Sequence, residues 1–213
     1  VVEGYTDVLA LRAAGVMSAV ASCGTAFGKE HVGVVKKAFS NRNITAGEKL
    51  VFMFDGDGAG QKAAIRVFDL LASNNSLESA YAAPLPDELD PGDVFAQGNP
   101  GYLVDSVQNA VPLTQYRLRL IAQDSDTGSP EAKIATLRNC VEVLAKISNP
   151  ILQDGYIQSV STWLGVPVRE VNQMVKRGAK SVSTTPTRHI SAWKGNPIEK
   201  AALTCLLHYP DKA

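Results

Sequence analysis

The feature that most constrains the fold is the apolar run KLVFMF, residues 49–54, which ends directly in the acidic, glycine-rich segment DGDGAG. A short apolar run bounded by turn residues is typical of a buried strand. Asp55 and Asp57, separated by one glycine, repel each other at the tip of such a strand unless a cation lies between them. The pair therefore predicts a divalent-metal site.

The first hundred residues alternate between strand-like and helix-like segments. Predicted strands are residues 1–4, 18–22, 49–54 and 77–82, and predicted helices are residues 7–15, 29–39 and 60–72. Alternation of this kind is the pattern of an α/β fold in which helices cover a mostly parallel sheet. The last strand leads into the acidic, proline-rich loop PLPDELDPGD.

From about residue 101 the strand signal disappears and helical periodicity replaces it. Helices are predicted at residues 112–123, 129–147, 150–164 and 168–176. The expected domains are an α/β domain at 1–100, a small all-α helical subdomain at 101–180, a Ser-, Thr- and Pro-rich linker at 181–197, and the start of a further domain at 198–213 that the chain does not complete.

The composition is that of a soluble globular protein, with 45% hydrophobic residues and 21 basic against 21 acidic residues in 213. The three cysteines are far apart and have no CxxC spacing, so neither a zinc site nor a disulfide framework is indicated, and a reducing cytoplasm is expected. No segment reaches the roughly 18 apolar residues of a membrane span, and we expect no membrane partner.

The aspartate pair has three other interpretations. An EF-hand needs a bidentate glutamate at the twelfth loop position, where this chain has Arg66. A phosphatase of the haloacid-dehalogenase type also carries an aspartate pair at a strand end, and it stays an alternative although glycine and alanine follow the pair here. A solvated acidic turn is the third interpretation.

An upstream strand also ends in an acid and a glycine, Glu3 and Gly4. Because adjacent parallel strands present their carboxyl ends at one edge of the sheet, Glu3 is predicted to face Asp55 and Asp57. Three carboxylates there provide the hard oxygen ligands that magnesium prefers. The glycines of these segments let phosphates approach the backbone, and Gly60 lets the next helix pack closely.

A strand ending in EG, followed about fifty residues later by a strand ending in DGDxAG, resembles a Toprim domain. The segments VVEGYTDVLAL, AVASCGTAF and FMFDGDGAGQKAA are similar to bacterial replicative primases of the DnaG type over roughly the first hundred residues. The helical bundle lies where those primases have one, and EKAALTCLLHYPDKA resembles the first helix of their helicase-binding domain. The resemblance implies a Toprim-type sheet with flanking helices.

The resemblance also implies roles for individual acids. Glu3, Asp55 and Asp57 match the catalytic, metal-chelating positions of the family, and Asp7 and Asp90 match acidic positions at the edge of the same site.

One position departs from that pattern. Gly92 stands where the family usually has a second acid, and Asp93 follows it at once as a candidate replacement.

Phosphate or nucleotide contacts are expected from small residues and one lysine beside these acids. Gly24 and Thr25 resemble the loop that closes beside the metal site and could offer backbone amides to a phosphate. The expected phosphate-binding set is Gly4, Gly24, Thr25, Gly56, Gly58 and Lys62.

The function that the resemblance implies is magnesium-dependent synthesis of short RNA primers on single-stranded DNA from ribonucleoside triphosphates, with Mn²⁺ as an alternative ion. A replicative helicase of the DnaB type is the implied protein partner, and a monomeric chain in the cytoplasm, at the replication fork, is expected. The family has a zinc-binding domain and a basic subdomain that would precede Val1, so we expect this chain alone to prime poorly.

Two other functions stay open at this point. A Toprim-type nuclease or topoisomerase fragment would use similar acids, and a non-catalytic module would dock onto the helicase through its helices.

Overall fold

The computed structural model describes residues 1–23, 26–40, 49–86, 88–123 and 129–183. The chain divides into two compact units, Val1–Lys176 and Arg177–Ala213. Of the second unit only residues 177–183 are described, and they form the end of a helix. Among the described helices, none combines the length and the apolar content that crossing a bilayer requires.

A small sheet carries the site. Strand β1 (Leu50–Phe54) runs parallel to β2 (Ala80–Pro84), and the short β3 (Val111–Pro112) pairs antiparallel with β2. The predicted strands at 49–54 and 77–82 are therefore confirmed, the second with its bounds shifted towards the carboxyl end. β3 lies in the part of the chain where no strand was predicted.

The first residues of the chain extend this sheet on the other side of β1. The Val1 nitrogen donates a hydrogen bond to the Val51 carbonyl oxygen (2.6 Å), and the Met53 N–H donates to the Val1 carbonyl oxygen (3.0 Å). On its far side Val2 forms a parallel bridge with Ala21. The strand predicted at 18–22 is reduced to this single bridge, but the predicted parallel arrangement around β1 is confirmed.

Nine described helices surround the sheet or follow it. Their bounds are α1 Tyr5–Ala13, α2 Lys29–Ser40, α3 Gly58–Ser73, α4 Pro91–Ala96, α5 Pro100–Gln108, α6 Leu113–Gln123, α7 Pro130–Leu144, α8 Pro150–Leu164 and α9 Val168–Ser183. Helices α4 and α5 were not predicted. Helix α9 extends three residues into the predicted linker at 181–197, and the rest of that linker lies outside the described residues.

Both faces of β1 are buried, which explains why its sequence is continuously apolar. Phe52 and Phe54 face a core formed with α3 and the later helices, while Met53 faces a second core formed with α1, α4 and α5. Phe68 of α3 is fully buried in the first core. This packing fixes the position of the carboxyl end of β1, and therefore the place where the residues after it leave the sheet.

The helices after β3 share the first core with the α/β part. Leu118, Leu144, Val160 and Val171, from α6 to α9, belong to the same buried cluster as Phe68. The helical region and the sheet domain are therefore packed as one hydrophobic core within the unit Val1–Lys176.

Candidate metal centre

Five carboxylates are directed to one edge of the sheet by elements that end or begin there. Glu3 follows the first strand segment, and Asp55 and Asp57 follow β1. Asp7 lies in the first turn of α1, and Asp90 immediately precedes α4. This is the edge formed by the carboxyl ends of the parallel strands, where α/β proteins usually bind ligands.

The other four acids lie near enough to Asp55 for their charges to act on its carboxyl group. The pKa of Asp55 is raised to about 6, first by burial and then by the negative charges of Glu3, Asp7, Asp90 and Asp57, in that order. Each neighbouring charge disfavours a further negative charge on Asp55. The structure therefore brings together all five acids that the sequence singled out.

Three of the acids are held in place by backbone N–H groups at helix N-termini. Asp57 Oδ1 accepts from the Gly60 N–H (2.7 Å) at the start of α3. Asp7, in the first turn of α1, accepts at Oδ2 from the N–H of Gly4, the residue before that helix (2.8 Å). Asp90 Oδ1 accepts from the Asp93 N–H (2.6 Å) in the first turn of α4. The positive ends of three helices thus oppose the mutual repulsion of the carboxylates.

Asp7 is the most buried of the five, with 6% of its surface exposed. Burial raises its pKa and so does the charge of Asp90, while the hydrogen bonds from Gly4 and Thr6 act in the opposite direction. Asp7 is therefore built into the wall of the site, between the first strand segment and α4.

A loop contact brings Asp90 to the acids that follow β1. The Gly56 N–H donates to the Leu89 carbonyl oxygen (3.1 Å), and the Glu88 N–H donates to the Gly56 carbonyl oxygen (3.2 Å). These paired bonds fasten the segment before Asp90 to the turn between Asp55 and Asp57. The acidic loop after β2 therefore belongs to the site.

The donor set suits a hard divalent cation. All five side chains are carboxylates, and the ion pair Lys146–Asp69 is the only salt bridge in the part of the chain that the structure describes, so no lysine or arginine there neutralises the cluster. In the present side-chain conformations no three His, Cys, Asp or Glu groups of the described residues are close enough to enclose an ion. Ligation of one ion by three of these acids would therefore require side-chain rotation.

The glycines beside the acids have different roles. A Cβ at Gly56 would overlap the Pro86 carbonyl oxygen, and a Cβ at Gly60 would overlap the Asp55 backbone. Close packing of α3 on the end of β1, as predicted for Gly60, is confirmed. Gly56 has an intramolecular reason to lack a side chain, namely the loop that carries Asp90. A Cβ at Gly58 would meet no atom within 4 Å.

The remaining predicted phosphate contacts stay predictions. Lys62 is exposed on the first turns of α3, on the helix that Asp57 caps. Gly4 contributes its N–H to Asp7. Gly24 and Thr25 lie outside the described residues.

Asp93 has a structural role that sequence reasoning missed. It forms a reciprocal capping box with Asp90 at the start of α4. The signal was present, since Asp90, Pro91 and Asp93 occupy the N-cap, N1 and N3 positions that favour a helix start. The segment was interpreted as a loop because proline and glycine dominate it.

Two family models match the chain. The model of the Toprim domain matches residues 1–80, and the model described as the DnaB-helicase binding domain of primase matches residues 114–169. The first covers β1 together with Glu3, Asp55 and Asp57. The second lies within the predicted helical subdomain, whereas the helicase-binding segment was predicted at 198–213, which lies outside the described residues.

Curated relatives of the chain are DNA primases. The DNA primase of Mycolicibacterium smegmatis is 40% identical over 165 residues, which is 78% of this chain and 26% of that protein. The DNA primase of Mycobacterium tuberculosis is 38% identical over 202 residues, which is 95% of this chain and 31% of that protein. The chain therefore spans about a quarter to a third of the length of these relatives.

Solved structures agree with the sequence relatives. The RNA polymerase domain of Mycobacterium tuberculosis primase DnaG superposes with a TM-score of 0.67 at 36% identity, over 76% of this chain and 50% of that one. A DNA primase domain from Pseudomonas aeruginosa superposes with a TM-score of 0.63 at 29% identity, over 82% of this chain and 53% of that one. The mixed α/β architecture with a following helical region is thus the one predicted.

Proposed function

Because the chain belongs to the family of bacterial DnaG-type DNA primases, we propose that it carries the metal-binding site of a DNA-directed RNA polymerase that makes short primers on single-stranded DNA. The observation that carries this proposal is the group of five carboxylates around Asp55, whose pKa is raised to about 6 by burial first and by the charges of the other four acids next. Such a cluster is a candidate functional site because neighbouring like charges have been brought together against their repulsion.

Glu3, Asp55 and Asp57 are the proposed ligands of Mg²⁺, with Mn²⁺ as a substitute, and Asp7 and Asp90 complete the negative rim. When bound, the ion activates the attacking 3′-hydroxyl and neutralises charge on the triphosphate. The chain's own contribution is positional: backbone N–H groups hold Asp7, Asp57 and Asp90 by one oxygen each. The second oxygen of Asp57 and of Asp90 can face the ion, whereas Oδ1 of Asp7 also accepts from the Thr6 hydroxyl (3.5 Å).

The substrates follow from this chemistry. Ribonucleoside triphosphates present phosphates to the carboxyl edge of the sheet, and Lys62 is a candidate contact for them. One relative, the RNA polymerase domain of Mycobacterium tuberculosis primase DnaG, was solved with a double-stranded DNA oligomer that has a 6-nucleotide overhang. We extend that kind of partner, a DNA template, to this chain.

A primase acts where the chromosome lies, which in bacteria is the cytoplasm.

A replicative helicase is the proposed protein partner, and residues 114–169 are the proposed contact region. The helicase-binding family model supports this placement. On α8, Leu152 and Trp163 are 38% and 39% exposed and lie about three helical turns apart, so they share one face. Loss of binding to a DnaB-type helicase in Trp163→Ala, but not in Asp105→Asn on α5, would support the placement. Equal binding by both variants would contradict it.

The alternatives of a nuclease and a topoisomerase are not favoured, because the relatives and structures above are primases. A helicase contact does not compete with the catalytic proposal, since the two use different parts of the chain.

The test of the catalytic proposal is metal binding, followed by templated synthesis. Mn²⁺ binding to the chain is measured by the loss of the electron paramagnetic resonance (EPR) signal of the free ion. The unaltered chain should bind Mn²⁺ strongly, and so should the control Asp154→Asn, because Asp154 is exposed on α8. Binding should be lost in Asp55→Asn. In the gene product that carries this sequence, RNA synthesis on single-stranded DNA should likewise persist in Asp154→Asn and be lost in Asp55→Asn. Full synthesis by Asp55→Asn would refute the proposal.

A further inference from the structure

Gly92 stands where the resemblance to DnaG-type primases implies a second acid, and the structure shows what the neighbouring Asp93 does. The Asp93 N–H donates to Asp90 Oδ1 (2.6 Å), and the Asp90 N–H donates to Asp93 Oδ2 (3.5 Å). The two residues thus satisfy each other's backbone N–H groups at the start of α4. Asp93 is turned back along the chain towards Asp90.

Gly92 makes room for this arrangement. A Cβ at position 92 would lie 3.1 Å from Asp90 Oδ1, which is tighter than nine in ten real Cβ contacts, so the carboxylate would have to shift by a few tenths of an ångström. Without that side chain, Asp90 Oδ1 can rest against the backbone and form its short bond to Asp93. The absence of a side chain at 92 therefore accompanies the short bond from the Asp93 N–H to Asp90 Oδ1.

The exposure of the two acids separates their roles. Asp93 is exposed to solvent, whereas Asp90 is half-buried and lies close enough to Asp55 and Asp7 for its charge to act on both. Asp90 Oδ1 is occupied by the Asp93 N–H, so only Oδ2 is free to face the other acids. The box thereby selects one orientation of the Asp90 carboxylate.

We propose that Asp93 is a positioning residue that holds the Asp90 carboxylate towards the metal centre, and that it does not replace the missing acid as a ligand. The inference rests on the proposed function, since it concerns how Asp90 meets a divalent cation. Partners that orient ligands typically change metal affinity by about 10–100-fold when they are removed. Asp93 should act at the lower end of that range, because its backbone N–H remains in any non-proline variant.

Conservative and non-conservative variants distinguish positioning from ligation. In Asp93→Asn the amide oxygen can still accept from the Asp90 N–H, but the charge is gone. In Asp93→Ala both the acceptor and the charge are gone, and the exposed helix position tolerates alanine. Mn²⁺ affinity and the EPR spectrum of the bound ion are measured for both, together with Asp55→Asn, Asp90→Asn and the control Asp154→Asn.

The expected result is near-normal affinity and an unchanged bound-ion spectrum for Asp93→Asn, and an affinity about tenfold lower for Asp93→Ala. Equal losses in the two variants would show that the charge is needed, and would overturn the proposal in favour of ligation. No loss in either variant would overturn positioning as well. If Asp55→Asn and Asp90→Asn both bind Mn²⁺ normally, the proposed function fails together with this inference; if only the Asp93 pattern is absent, the inference alone fails.

Discussion

Replacing Asp55 by asparagine should stabilise the metal-free protein at neutral pH. The pKa of Asp55 is raised from its ordinary value of 3.8 to about 6, by burial first and by the neighbouring acids next. Since one pKa unit corresponds to ~1.4 kcal/mol, ionised Asp55 opposes folding by at most about 3 kcal/mol. The carboxyl group is partly exposed, and solvent screening reduces the expected gain to roughly 1–2 kcal/mol.

The raised pKa of Asp55 also predicts how the stability difference between the two proteins depends on pH. A carboxyl group whose pKa is higher in the folded state favours folding while it is protonated, and this contribution disappears as the pH rises through about 6. Asparagine resembles the protonated group at every pH. The two proteins should therefore be equally stable near pH 4, and the variant should become more stable as the pH rises, with the difference constant above about pH 7.

Urea unfolding with EDTA present, at several pH values between 4 and 8, measures this difference. The Asp55 carboxylate makes no hydrogen bond to another described residue, so within that part of the chain the substitution removes charge without removing a bond. Adding Mg²⁺ should stabilise the unaltered protein and leave Asp55→Asn unchanged, because a ligand that binds only the folded state stabilises it. A variant that is less stable at pH 8, or a gain that is the same at pH 4 and pH 8, would refute the reasoning.

Three further predictions concern the surroundings of the site and the helical region. Gly56→Ala should lower the free energy of unfolding by about 2 kcal/mol or more, because its Cβ would overlap a loop carbonyl oxygen. The matched Gly58→Ala should be neutral or stabilising by up to ~1 kcal/mol. The urea midpoints of the two variants measure this difference. Asn149→Ala should cost about 1–2 kcal/mol in the same assay, because Asn149 caps α8 and also bonds to the sheet domain; an unchanged midpoint would contradict this. Burial raises the pKa of Cys140 to about 11, so Cys140 should resist a thiol reagent at pH 8 that modifies exposed Cys23, as located by peptide mass spectrometry; early labelling of Cys140 would contradict its burial.

The parts of the fold that could be predicted from sequence are those in which the type of each residue indicates whether it is buried or exposed. β1 was predicted nearly to the residue because both of its faces meet large apolar side chains. The predicted bounds of β2 were shifted because three of its five residues are alanines, which are buried here but have low strand propensity. Strand β3 was missed because two residues give no periodicity.

The site was predictable to the extent that parallel strands end together. That rule placed Glu3 beside Asp55 without any contact information. The position of Asp90 at the site depends instead on the hydrogen bonds between Gly56 and the loop before α4. No local sequence pattern predicts these bonds. The same holds for the reason why Gly56 lacks a side chain.

The energetics of β1 explain how the fold tolerates five acids at one edge. Phe52, Met53 and Phe54 are each at most 4% exposed, and burying a side chain of this size contributes about 1.5–3 kcal/mol. Even at the lower figure, these three outweigh the ~1–2 kcal/mol by which ionised Asp55 opposes folding. The strand therefore holds the acids in place regardless of their repulsion. It follows that selection for stability alone would remove Asp55, and that its presence is explained by the cation it is proposed to bind.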